Sequence, residues 1–90
     1  MELMEEVLNQ GKQVILLIPE IALTYQTVQR FYRRFGDRIS VLHSRLSPGE
    51  RSDQFERAKK GELQVMIGPR SALFTPFPNL GLIVIDEEHE

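Results

Sequence analysis

Val14-Ile15-Leu16-Leu17-Ile18 is an unbroken aliphatic run closed by Pro19. A strand with one face in water alternates apolar and polar residues. One that is apolar at every position is buried on both faces, as in a parallel sheet covered by helices. Three further short runs follow it: Ile39-Ser40-Val41-Leu42, Leu63-Gln64-Val65-Met66-Ile67 and Leu80-Gly81-Leu82-Ile83-Val84-Ile85. Each is short and rich in β-branched or aliphatic residues, so all are predicted to be strands.

The segments between them have helical period. From Thr24 to Phe35, Val28, Phe31, Tyr32 and Phe35 recur at i, i+3, i+4 and i+7, and Gly36 stands where a helix would stop. Ser47-Pro48-Gly49-Glu50 combines an N-cap serine, proline at the first helical position and glutamate at N3. That is a capping-box signature, and it opens a polar helix ending before Gly61. Phe55 and Ala58 are its clear apolar positions, so it is expected on an exposed flank. At the front, Leu3, Met4, Val7 and Leu8 form an apolar stripe closed by Gly11, and Pro76-Phe77-Pro78-Asn79 reads as a tight turn. The order α-β-α-β-α-β-(short helix or loop)-β predicts an α/β fold, a parallel sheet with right-handed crossovers and flanking helices.

Composition narrows the function classes. Ninety residues with 41% hydrophobic and 27% charged side chains leave room for one globular domain at most. Cysteine is absent and the only histidines are His43 and His89, which removes disulfides and thiolate metal sites. The longest apolar run is far below the roughly 18–20 residues that span a bilayer, and the acidic start Met1-Glu2-Leu3-Met4-Glu5-Glu6 is unlike an export signal. A cytoplasmic location is the expectation. The net charge of −2 hides an asymmetry, because Asp86, Glu87, Glu88 and Glu90 crowd the end while Lys and Arg are spread through the rest. The body is mildly basic, compatible with a polyanionic partner.

In an open parallel sheet, ligands bind outside the carboxyl ends of the strands. The residues to inspect are therefore Pro19-Glu20, His43-Ser44, Gly68-Pro69-Arg70-Ser71 and Asp86-Glu87-Glu88-His89. The last is the most specific, an aliphatic strand that ends abruptly in paired carboxylates. An acid leaving a buried strand can hold Mg²⁺ through water, and a second carboxylate beside it can orient the water that attacks a γ-phosphate. This is a Walker B strand of the D-E-x-H kind. A merely solvated acidic tail has no need of an aliphatic run directly before the Asp.

Taken in order, the motifs resemble those of the PriA family, the primosomal protein N′ helicases of superfamily 2. The resemblance runs through Gly11 to Thr24 with Pro19-Glu20-Ile21-Ala22-Leu23-Thr24, then His43-Ser44 with Leu46-Ser47 and Gly49-Glu50-Arg51. It continues in Gly68 with Arg70-Ser71-Ala72-Leu73-Phe74 and ends on Asp86-Glu87-Glu88-His89. It implies that residues 1–90 are a partial RecA-like (P-loop NTPase) lobe of an ATP-dependent 3′-to-5′ DNA helicase acting at stalled forks in primosome assembly and replication restart. Asp86 would hold Mg²⁺, Glu87 would activate water, and both would face ATP; His89 would couple the nucleotide site to DNA. Pro19, Glu20, Arg70 and Ser71 match DNA-facing motifs, where a guanidinium and a hydroxyl can meet backbone phosphates without reading sequence. Forked or single-stranded DNA, helicase-loading proteins and single-strand-binding protein are the implied partners, and the family's zinc lies outside this chain.

The chain departs from the family pattern at Pro69, where a small or hydroxyl residue is usual, at Arg45, where Gly is common, and at Tyr25, where Pro is frequent. A larger departure concerns the phosphate cradle G-x-x-x-x-G-K-[ST], whose backbone N–H groups wrap phosphates. Gly11-Lys12-Gln13 is not one: Glu6 stands at the first Gly position, Gln13 replaces the hydroxyl residue, and the pair precedes a strand instead of following one. The Walker A segment is expected upstream of Met1 and the second lobe elsewhere, so the isolated chain is expected to be inactive toward ATP. A sheet edge left bare is expected to promote self-association.

Arg30, Arg33, Arg34 and Arg38 read as a solvated helix face in preference to a phosphate-tracking patch. His43 reads as a turn histidine, and Phe74 and Phe77 as plugs at the base of a loop in preference to base-stacking platforms. Two rival functions remain: a non-catalytic α/β nucleic-acid-binding or scaffold domain, and a different DExH-type translocase.

Overall fold

In the computed structural model of the chain, which describes residues 2–43 and 46–86, the expected elements form in the expected order. They are α1 (Glu2–Asn9), β1 (Gln13–Leu17), α2 (Tyr25–Phe35), β2 (Ile39–Val41), α3 (Pro48–Lys59), β3 (Val65–Gly68) and β4 (Leu80–Ile85). Short 3₁₀ turns occupy Glu20–Ala22, Gly36–Arg38 and Arg70–Phe74. All strand pairs are parallel, in the spatial order β2-β3-β1-β4. The most continuous aliphatic run, β1, therefore lies inside the sheet, which is why it has no polar alternation.

Local chemistry sets the helix ends. Thr24 caps α2 by accepting a 3.3 Å hydrogen bond from the Thr27 amide, and Gly36, at φ 67°, ends it in a conformation that a side chain disfavours. At α3 the capping box is complete: the Glu50 amide donates to Ser47 Oγ at 3.1 Å, and the Ser47 amide donates to Glu50 Oε1 at 2.8 Å.

The two faces of the sheet carry separate cores. Helices α1 and α2 cover one, where Met4, Val28 and Phe35 pack on Val14, Leu16, Val41, Val65 and Ile67. The other is covered by α3 and the Arg70–Phe74 turn, where Ala58 and Ala72 meet Ile15, Leu42, Leu63 and Met66. Helix α3 contributes only Ala58 as a fully buried residue, with Phe55 half-buried, as expected for a flank.

Three expectations are adjusted. The third strand starts at Val65 although Leu63 is fully buried, because the Leu63 carbonyl accepts from Gln13 Nε2 at 3.0 Å instead of entering the ladder. Phe77 packs against the second core, but Phe74 is 78% exposed and plugs nothing; the 3₁₀ turn directs Ala72 inward in its place. Arg30, Arg33, Arg34 and Arg38 are all exposed, yet Arg34 is tied across helices to Glu5 at 3.0 Å.

Among the described residues β4 pairs with β1 alone, and Leu80, Ile83 and Ile85 are 41%, 44% and 64% exposed. No helix among the described residues is long and apolar enough to cross a membrane.

Candidate functional site

Because every strand runs the same way, the segments after β1, β3 and β4 emerge on one rim. The chain leaves β1 through Ile18, whose amide donates to the Gly68 carbonyl at 2.8 Å, and turns at Pro19 into the Glu20–Ala22 turn. Pro19 opens that turn, its carbonyl accepting from the Ala22 amide at 2.9 Å, and Glu20 is exposed beside it.

Strand β3 leaves through Gly68, Pro69 and Arg70. A Cβ on Gly68 would lie 2.9 Å from the Leu42 carbonyl oxygen and 3.0 Å from Leu42 Cβ, so glycine is what lets the exits of β2 and β3 come this close. Pro69 at φ −75° is in its preferred conformation, and its carbonyl accepts from the Ala72 amide at 2.8 Å. The proline thus starts the 3₁₀ turn that carries Arg70 and Ser71. Its missing N–H costs nothing at this first position, which accounts structurally for the departure at Pro69.

Asp86 directly follows β4 and is held at the rim by its amide, which donates to the Leu17 carbonyl at 2.9 Å. Pro19, Arg70 and Asp86 line one cleft of about 530 Å³, whose remaining walls are Leu17, Ile18, Pro69 and Ile85. A carboxylate and a guanidinium on an otherwise apolar surface can grip a ligand that carries both a cation and an anion, such as a metal-bound phosphate. Arg70 is exposed and makes no ion pair among the described residues, which leaves its guanidinium available to an external anion.

Of the candidate residues, Pro19, Arg70 and Asp86 meet in this cleft, while Glu20 and Ser71 flank it in sequence without lining it. Glu87 and His89 lie outside the described residues, as do Ser44 and Arg45. His43 is half-buried after β2, and its carbonyl accepts from the Leu46 amide at 3.2 Å. The apolar wall was missed. Ile85 and Leu17 read as core residues in sequence, and only the β1–β4 pairing, with Leu17 opposite Ile85, puts them at the cleft.

The donor set constrains what can bind. Among the described residues no three His, Cys, Asp or Glu side chains converge. The Asp86 carboxylate is a hard oxygen donor of the kind that Mg²⁺ or Ca²⁺ takes. The ninety residues contain no G-x-x-x-x-G-K-[ST] segment, the phosphate cradle of a P-loop nucleotide site.

A family model described as DEAD/DEAH box helicase matches residues 1–90. Replication restart protein PriA of Chlamydia pneumoniae is 56% identical over 85 residues, covering 94% of this chain and 11% of that protein. The protein of the same name from Haemophilus influenzae is 53% identical over 90 residues, 100% of this chain and 12% of that protein. For the Bacillus subtilis one the figures are 52% over 86 residues, 96% and 11%. The chain thus spans about a ninth of the length of these relatives. The whole of its parallel sheet and the rim built on it are matched, and the chain belongs to the DEAD/DEAH box helicase family.

Proposed function

We propose that residues 1–90 are the part of a replication-restart DNA helicase's first RecA-like lobe that carries the Mg²⁺-binding acid and part of the DNA-facing rim. The observation that carries this reading is the convergence of Pro19, Arg70 and Asp86 on one cleft at the carboxyl end of the sheet. Three motifs that resemble successive helicase motifs come from three different strands, and parallel pairing alone brings them together.

In this reading Asp86, which lines the cleft, would hold Mg²⁺ through water. When bound, Mg·ATP supplies the phosphoanhydride bond whose hydrolysis drives translocation. Glu87, the next carboxylate along the chain, orients and deprotonates the attacking water, and His89 relays the nucleotide state toward DNA. Arg70 and Ser71 contact backbone phosphates, and Pro19-Glu20 shapes the adjoining rim. Such contacts hold DNA without reading sequence, as a translocase requires. Fork preference, 3′-to-5′ movement, a cytoplasmic location and work with helicase-loading and single-strand-binding proteins complete the proposal. ATP turnover needs a phosphate cradle and a second lobe, so the ninety residues by themselves are proposed to be inactive.

The test is a chimera in which residues 1–90 replace the matching segment of the Bacillus subtilis relative. ATP hydrolysis is measured with and without forked DNA, for the native segment and for Glu87→Gln. Turnover that forked DNA stimulates and that Glu87→Gln reduces by at least 100-fold is expected, within the ~10²–10⁴ range of a lost catalytic base. A native-segment chimera with DNA-independent turnover, or a Glu87→Gln variant equal to it, overturns the reading and favours a non-catalytic binding domain.

A further inference from the structure

The rim is assembled from three strands, and its geometry depends on how far each strand is slid along its neighbours. In a sheet a slip of one residue also turns every side chain to the opposite face. Strand β4 is the most exposed to such a slip, since among the described residues it has β1 as its single neighbour and pairs in an irregular register. Gln13 stands opposite Leu80 but Val14 stands opposite Leu82, so Gly81 is an extra residue, a bulge. A Cβ at Gly81 would come within 2.8 Å of Lys12 Cβ and 3.0 Å of Val7 Cγ1, so the bulge is seated tightly against the turn from α1 into β1.

Downstream of this bulge every residue of β4 has its face decided by it. With the bulge in place Leu82 and Val84 join the core under α1 and α2, Ile83 and Ile85 take the other face, and Asp86 arrives beside Leu17. Without it, Asp86 would be displaced by one residue and turned to the opposite side of the sheet.

At the opposite end of the sheet from the cleft lies one polar side chain that is almost fully buried. Gln13 is 5% exposed, and both ends of its amide are used. Its Nε2 donates to the Leu63 carbonyl at 3.0 Å, just before β3, and its Oε1 accepts from the Asn79 amide at 2.9 Å, just before β4. The Gln13 amide donates in turn to the Asn79 carbonyl at 2.9 Å, and Asn79 Nδ2 donates to the Gly11 carbonyl at 2.9 Å. A single side chain on β1 is thereby bonded to the starting points of both β3 and β4.

We propose that Gln13, with Asn79 and the Gly81 bulge, is a register clamp: a positioning residue that sets the stagger of β1, β3 and β4 and so places Pro19, Arg70 and Asp86 in one cleft. A buried apolar side chain of the same length would fill the space but would leave the Leu63 carbonyl and the Asn79 amide without their partner. Core packing alone resists a slip poorly on β4, whose exposed Leu80, Ile83 and Ile85 gain little from one register over the other. The clamp supplies the directional bonds that the packing lacks. Its relevance to catalysis rests on the proposed role of Asp86, while its role in the sheet does not.

The test separates the two. In the 90-residue chain, Gln13→Met is compared with the native protein by amide hydrogen exchange resolved residue by residue. Exchange at Leu82, Val84 and Asp86, the β4 residues whose amides face β1 as the Asp86 amide does toward the Leu17 carbonyl, is expected to accelerate at least 10-fold more than exchange at Met66 and Ile67, since β3 is paired on both sides. Equal acceleration in both strands, or none, overturns the clamp. Should Gln13→Met fail to fold, Asn79→Ala, which removes only the bond to Gly11, is expected to show the same strand preference at smaller amplitude, and uniform exchange there overturns it as well. In the Bacillus subtilis chimera, Gln13→Met is expected to lower kcat about 10-fold with KM for ATP changed less than 3-fold. Unchanged kcat per folded molecule removes the link to catalysis. A native-segment chimera without DNA-stimulated turnover counts against the proposed function and leaves the exchange result to judge the clamp.

Discussion

Gly68→Ala is the substitution whose outcome follows most directly from the geometry of the rim. The new methyl carbon would sit 2.9 Å from the Leu42 carbonyl oxygen, 3.0 Å from Leu42 Cβ and 3.4 Å from Ala72 Cβ. The first of these is a backbone atom, so no rotamer change relieves it. Neither side can step back freely. Leu42 is fully buried and its amide donates to the Ile67 carbonyl at 2.7 Å, while the Gly68 carbonyl accepts from the Ile18 amide at 2.8 Å. Separating the two by a few tenths of an ångström must lengthen one of these bonds or shift the Ala72 turn, and overpacking of this kind costs about 1–3 kcal/mol. With a urea dependence near ~1 kcal/mol per M for so small a domain, the midpoint of unfolding falls by about 1 M or more.

Gly49→Ala is the matched control. Its Cβ meets only Ser47 Oγ, at 3.9 Å, and it lies in the first turn of α3 without a positive φ, where replacing glycine by alanine is free of strain and restricts the unfolded chain, worth about 0.4–1 kcal/mol of stability. Urea titrations of the two variants, followed by circular dichroism, should move in opposite directions from the native midpoint. A Gly68→Ala midpoint at or above the native value would refute the argument that close approach of the β2 and β3 exits requires glycine.

Other consequences can be checked alongside. Ser47→Ala removes the acceptor of the Glu50 amide and is expected to destabilise the chain by about 1 kcal/mol in the same titration. Leu63→Ala empties a fully buried site beside Ile15, Ala58 and Met66, and a loss of about 2–5 kcal/mol is expected, large enough to unfold a domain of this size in mild denaturant. The exposed Ile83 and Ile85 on edge strand β4 should drive concentration-dependent association of the 90-residue chain, visible by sedimentation velocity. Ile83→Lys, which puts a charge on that edge, should suppress it, and equal association of both proteins would locate the contact elsewhere.

Much of this was legible in advance because it depends on short-range chemistry. The serine, proline and glutamate at 47, 48 and 50 act within one helical turn, and the capping box they form needs no tertiary partner. An aliphatic run with no polar position, as at Val14–Ile18, has to be buried on both sides wherever it lies. Asp86 could be placed at a strand end for the same reason, since a carboxylate directly after Leu82-Ile83-Val84-Ile85 marks where burial stops.

Phe74 shows the limit of such reading. A phenylalanine near prolines is usually a plug, but a 3₁₀ turn repeats every ~3.0 residues, and the inward position goes to Ala72 while Phe74 stays 78% exposed. Gln13 is the complementary case. A lone polar residue before an aliphatic strand looks like the end of a turn, and nothing near it in sequence announces partners 50 and 66 residues away.

The class of fold, the order of its elements, the ends of α2 and α3, and the identity of the polar groups carried to the strand ends all follow from the order of the amino acids. Apolar periodicity and capping are local, so they can be read without knowing which strand lies beside which. The pairing of β4 with β1, the bulge at Gly81 and the sharing of one cleft by Pro19, Arg70 and Asp86 emerge in the folded molecule. Those facts depend on strand order and register, which are set by hydrogen bonds and close contacts between residues distant in the chain, and no local pattern encodes them.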